Sequence, residues 1–159
     1  MKTSLSVIAA GLVTIAAAGT TAVAPAHAQE NCLPVSGGIN VTIVDSEPLR
    51  VLGPVTGTLS GATQATVLSQ EQQGDGTIKL DVTHDFVTDD RSSLTTKDVV
   101  IWTPVPGHEG VFRMQTTYTV VSGTGRFAEA HGSFQNHGEV VAGEGLVTLS
   151  YGGEICGVN

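Results

Sequence analysis

From residue 111 apolar and polar side chains alternate almost one for one. Phe112, Met114, Tyr118 and Val120 alternate with Arg113, Gln115, Thr117 and Thr119 until Gly123-Thr124-Gly125 ends the pattern. Period two over that length predicts a half-buried strand, and the glycines supply positions able to take positive φ, as a hairpin or bulge requires. Residues 77–87 alternate as cleanly, Ile78, Leu80, Val82 and Phe86 against Lys79, Asp81, Thr83 and Asp85. Gly74-Asp75-Gly76 before them is a hairpin signal; 88–91 turn the chain and 92–102 return it. Further strands are predicted over 35–44, with Val35, Ile39, Val41 and Ile43 on one face, and over 130–141 and 146–155. Glu47-Pro48 and Gly53-Pro54 punctuate the stretch after the first strand. The Thr/Gly/Ala-rich run 55–70 predicts a bent strand or two short ones, since Gly57 and Gly61 permit kinks. Pro104, Pro106 and Gly107 predict a loop. Beyond residue 30 no amphipathic helix, linker or second domain is indicated. Seven or eight antiparallel strands with short connections suit a small up-and-down barrel.

The first segment reads differently. Lys2, the apolar run 5–18 and the small-x-small site Ala26-His27-Ala28 predict a cleaved signal peptide over 1–28, leaving a single domain over 29–159 that begins at Gln29. As a transmembrane anchor the run is short and broken by Thr14, Gly19 and Pro25. Gln29-Glu30-Asn31 before Cys32 is not the small-residue lipobox of a lipoprotein, so the product is expected to be secreted, extracellular and free of the membrane. Its formal net charge, −8 for the whole sequence, favours solubility, disfavours polyanionic partners, and comes with no basic patch for nucleic acid. The only two cysteines, Cys32 and Cys156, stand at opposite ends of that domain. In an exported protein an isolated pair is most simply a disulfide, and bridging the ends requires the first and last strands to lie side by side. A sheet whose ends meet is a barrel.

Cys32-Leu33-Pro34-Val35-Ser36-Gly37, Leu94-Thr95-Thr96-Lys97-Asp98 and Gly123-Thr124-Gly125-Arg126-Phe127-Ala128 with Gly132 resemble the allene oxide cyclase barrel-like family of exported bacterial proteins. That family is similar to plant allene oxide cyclases and dirigent proteins. The resemblance covers essentially the whole domain and implies an all-β, closed, antiparallel eight-stranded barrel with an apolar lumen, and a trimer. In the plant proteins the lumen steers reactive hydrophobic intermediates. The distinctive motif is a turn motif, and this chain departs from the small residues usual after it by placing Glu129 and His131 there. No catalytic residue of the plant enzymes matches a position here, so an isomerase or cyclase activity rests on resemblance alone.

His84 shares strand parity with Ile78, Leu80, Val82 and Phe86 and is expected to project into the lumen. The register across the 88–91 turn is open by one residue. Matching apolar to apolar puts Leu94, Thr96, Asp98, Val100 and Trp102 on the same face, with Lys97 outside near Asp81 and Asp85, where opposite charges favour it. Asp98 then lies diagonal to His84, where a carboxylate fixes the imidazole tautomer. Tyr118, on the apolar face of its strand with Met114, would complete a polar cluster within greasy walls, the usual make-up of a small-ligand site. His84, Asp98, Tyr118, Met114 and Trp102 are therefore the expected ligand-binding residues. The alternative is a buried His–Asp pair that merely holds adjacent strands in register.

Other chemistry is weakly signalled. His131 and His137 share parity with Ser133 and Gln135, so they face outward about 20 Å apart along an extended strand, too far to chelate one ion. Nothing places His108 beside them, and neither a metal nor a cofactor is expected. No Gly-x-Ser-x-Gly elbow exists. Arg126 is expected to pair with Glu129 or a strand-end carbonyl and so pin a turn, while Val99 and Ile101 on the outer face would suit a subunit interface.

Three functions follow: a barrel holding a small hydrophobic molecule, an isomerase or cyclase moving a proton with His84, Asp98 or Tyr118, and a filled structural or interaction barrel. Few aromatics (4%) and 20 glycines favour an interior with room. A cavity of several hundred Å³ would favour the first two, and a packed core the third.

Overall fold

Strand parity decides which side chains meet. The computed structural model describes residues 31–159; the expected signal peptide, 1–28, lies outside the described residues. Eight strands follow one another: β1 (Cys32–Ser46), β2 (Leu49–Gly57), β3 (Gly61–Gln72), β4 (Ile78–Thr88), β5 (Ser93–Pro104), β6 (Val111–Gly123), β7 (His131–Val141) and β8 (Leu146–Cys156). Each is antiparallel to the next, and β8 returns to β1 to close the barrel. In the middle of β4, β5 and β6 burial switches on and off with every residue, so the two-residue period becomes inside and outside.

The pattern misread one stretch. Gly53-Pro54 does not end an element, because β2 runs through it and the run 55–70 divides into the end of β2 and most of β3. On β1 the paired positions Ile39↔Val55 and Thr42↔Leu52 lie on either side of Gly53-Pro54, so the missing proline N–H falls in a gap of that ladder. Turn punctuation was visible there, but closure of the sheet overrides it.

Bulges supply the curvature. Register shifts at Ile43/Asp45, Val67/Ser69 and Thr95/Thr96 insert Val44 in β1, Leu68 in β3 and, opposite the last, Val121 in β6. A bulge bends its strand and turns two successive residues to the same side. Three exposed apolar side chains, Val44, Leu68 and Val121, are therefore by-products of closure.

One end of the barrel is sealed. The phenol of Tyr151 donates to the Thr56 carbonyl (2.8 Å) and accepts from the Leu59 N–H (2.9 Å), tying the β2–β3 turn across the end. Gly37 makes room for it, since a Cβ there would stand 2.6 Å from the Tyr151 oxygen. Phe127, fully buried, caps the same end from the 3-10 turn Gly125–Phe127, which Gly125 enters with φ 59°. The Gly-Thr-Gly motif thus ends β6 and leads into a 3-10 turn rather than making a two-residue hairpin. Arg126 pins that turn: its guanidinium donates to the Thr58 carbonyl (3.2 Å) and pairs with Asp90 (3.3 Å). A strand-end carbonyl is its partner, as one expectation held, and Asp90 rather than Glu129 supplies the carboxylate.

Cys32 lies directly opposite Cys156 in the β1–β8 ladder and is bonded to it. The loop closed spans a separation of 124 residues, for which chain entropy alone gives an upper figure of about 4–5 kcal/mol. Cys32→Ala/Cys156→Ala is expected to lower unfolding free energy by up to that amount in urea titrations, with the barrel still formed. Two free thiols in non-reducing peptide maps of the native protein would contradict the bridge.

Candidate functional site

The lumen is built in three layers. Towards the sealed end, Phe86, Leu94, Phe134 and Ile155 are almost wholly buried, and Phe134 stacks on Tyr118 with centroids 4.5 Å apart. Towards the opposite end lie small aliphatic side chains. Between them runs a polar belt from β4 to β7: His84, Thr96, Asp98, Thr116, Tyr118 and Asn136, all buried.

The belt follows from register. His84 stands opposite Thr96 and Val82 opposite Asp98, so Asp98 is diagonal to His84. The imidazole Nδ1–H donates to Asp98 Oδ2 at 2.5 Å, between side chains 6% and 0% exposed. This is the register preferred from the sequence on apolar matching, while the added charge argument for Lys97 finds no ion pair among the described residues. Lys97 does point outward, opposite Thr83, but no ion pair joins it to Asp81 or Asp85 among the described residues. Asp85 instead accepts from Thr95 (2.8 Å) and Asp81 from Ser69 (2.7 Å). Apolar matching was sufficient.

Asp98 also stands opposite Tyr118 across β5 and β6. Asn136, which faces inward beside Phe134, donates its amide N–H to the Tyr118 hydroxyl. Burial pushes the Tyr118 phenol far above its usual range and the Asp98 charge pushes it further, against the opposing hydrogen bond from Asn136. His84 packs parallel to Phe86 (5.8 Å) and edge-on to Tyr118 (5.1 Å). Four sealed oxygens of the belt, Thr96 Oγ1, Asp98 Oδ1, Thr116 Oγ1 and Asn136 Oδ1, have no hydrogen-bond partner among the described residues. Each carries a desolvation cost of about 1–3 kcal/mol that an aliphatic side chain would avoid.

The open half contains an apolar cavity. Its volume is about 40 Å³. Val82, Val100, Met114 and Trp102 are among its walls, and His84 is the one ionisable side chain lining it. Of the five expected ligand residues, His84, Met114 and Trp102 line the cavity; Asp98 and Tyr118 stand behind His84 and touch it through the ring. With Nδ1 on Asp98, His84 Nε2 makes no hydrogen bond among the described residues, yet it is not one of the sealed unpartnered atoms. That nitrogen retains an opening. An imidazole so held can accept or donate one proton at Nε2.

Asn136 and Thr116 were missed, although both were legible. Asn136 shares parity with Phe134, and Thr116 with Met114 and Tyr118, so each had to face inward. His131 and His137 lie exposed on the outside of β7, and His131 Nδ1 bonds the Glu129 carbonyl (3.1 Å). Val99 is exposed and Ile101 half-buried on the outer wall.

Set against family models, curated proteins and solved structures, the chain matches none. Among the described residues no helix is long and apolar enough to cross a membrane.

Two outcomes follow from the belt. His84→Gln is expected to cost about 1–3 kcal/mol in urea unfolding, because the sealed carboxylate loses its best partner; an unchanged midpoint would contradict that. Tyr118 and Tyr151 are both raised above 10.0 in the folded state, mainly by burial. The native state then keeps protons that the unfolded chain loses, so stability is full below about pH 10 and falls as pH rises further. Tyrosinate absorbance should appear together with unfolding, and its appearance in a still-folded barrel would overturn the assignment.

Proposed function

We propose that this chain is a secreted, allene oxide cyclase-like barrel that holds the apolar end of a small molecule in the open half of its lumen, against His84. One observation carries the reading: an aliphatic funnel ends on a buried imidazole whose outer nitrogen is unpaired. A barrel filled only for stability gains nothing from ionisable and unpaired groups there, since an ion pair replaced by apolar side chains of similar volume is commonly as stable or more so. Export is supported by the leader-like segment 1–28 and by the disulfide. The trimer implied by the resemblance remains part of the same proposal.

The cavity volume of about 40 Å³ is far below the roughly 300–1,000 Å³ of a pocket that engulfs a drug-sized ligand. The inserted part is therefore narrow, and the remainder of the molecule occupies the mouth. A second reading, a structural or interaction barrel with no ligand, is favoured by that same small volume and by the filled aromatic half. An isomerase or cyclase would use His84 Nε2 as proton acceptor and donor, and only resemblance favours turnover.

Native mass spectrometry of the exported protein reads ligand and subunit number together. A co-purifying apolar molecule is expected in the wild type. Ala65→Leu, which fills the cavity wall, should retain the fold and lose that molecule. Wild-type protein that is always empty, and that binds no apolar probe, would leave the ligand-free barrel as the correct reading.

A further inference from the structure

The pocket's inner end restricts what chemistry it accepts. We infer that it selects a neutral apolar molecule carrying a hydroxyl group, a linear or branched aliphatic alcohol, over the corresponding carboxylate or hydrocarbon. The inference rests on the proposed pocket and concerns the single polar contact made there.

His84 lines the cavity with Nδ1 committed to Asp98, which leaves Nε2 as the ring's remaining polar atom. A neutral imidazole in this tautomer accepts at Nε2, whereas an imidazolium donates there. A hydroxyl is both donor and acceptor, so it satisfies Nε2 in either state. A carbonyl or ether oxygen satisfies only the imidazolium, and a hydrocarbon satisfies neither. Charge argues in the same direction. Asp98 is the one carboxylate among the buried side chains described; among the described residues its Oδ1 has no partner and His84 is its only ion-pair partner. A ligand carboxylate would bring a second negative charge to the same imidazole within apolar walls, where desolvation and repulsion both oppose it.

Trp102 is the chain's only tryptophan and part of the cavity wall, so its fluorescence reports occupancy without a label. The mature, disulfide-bonded protein would be titrated near neutral pH with 1-octanol, octanoate and n-octane. Octanol is expected to bind at least about tenfold more tightly than octanoate, and more tightly than octane. In His84→Leu/Asp98→Leu, which removes both members of the pair rather than stranding one, octane should still bind and the advantage of octanol over it should vanish. Octanoate equal to octanol in the wild type overturns the hydroxyl assignment while leaving the pocket in place, and needs no variant. An octanol advantage that persists in the double variant overturns it as well. No response to any of the three overturns the assignment and the pocket together.

Discussion

Closure of one hydrogen-bonded sheet on itself is the constraint from which the rest follows. Eleven residue pairs join β1 to β8, from Cys32↔Cys156 to Thr42↔Leu146, so no strand is left with an unpaired edge. Once the ring is closed, every strand has two neighbours and only one choice of inner face. A slip of one residue anywhere would turn a row of valines outward and a row of threonines inward. The bulges at Val44, Leu68 and Val121 absorb the curvature this demands, and they place apolar side chains in solvent as a consequence. Interior composition is thus read directly from parity, and the polar belt is inside because its residues share parity with Leu80, Met114 and Phe134.

The two ends of the lumen differ because different turns close them. At one end the β2–β3 turn, the 3-10 turn after β6 and the disulfide converge, with Leu59 and Phe127 as plugs and Tyr151 and Arg126 as ties. Among the described residues nothing comparable crosses the other end, where Trp102 packs against Phe112 (5.6 Å) at the wall. The open end gives the imidazole its access.

Much of this was legible in the sequence because β4 and most of β6 alternate cleanly and β5 pairs its inward face with theirs. Parity alone placed His84 and Asp98 on one face, and the apolar match between Leu80, Phe86, Leu94 and Val100 selected their register. Where alternation failed, reading failed. Gly53-Pro54 looks like a turn in isolation, and only the neighbours' ladders make it part of a strand. Arg126 reaches Asp90 and Thr58, residues far away in sequence, and no local spacing signals a contact made by turns that meet only after closure. The volume of the lumen was the least legible quantity. Many glycines suggested room, yet Gly37 is occupied by Tyr151 and Gly153 by Phe134, so small residues accommodate large neighbours rather than leaving space.

The chemistry of the lumen turns on the state of one ring: His84 donates from Nδ1 to Asp98, and its Nε2 is left unpaired among the described residues in a ring that lines the apolar cavity. Long-range nitrogen–proton correlation NMR on the native protein reads it directly. The account predicts a slowly exchanging, strongly deshielded Nδ1–H on His84 that disappears in Asp98→Leu, with an Nε2 resonance that moves when an apolar alcohol is added. An Nε2–H tautomer with Nδ1 unprotonated, or a ring exchanging freely with water, would contradict it.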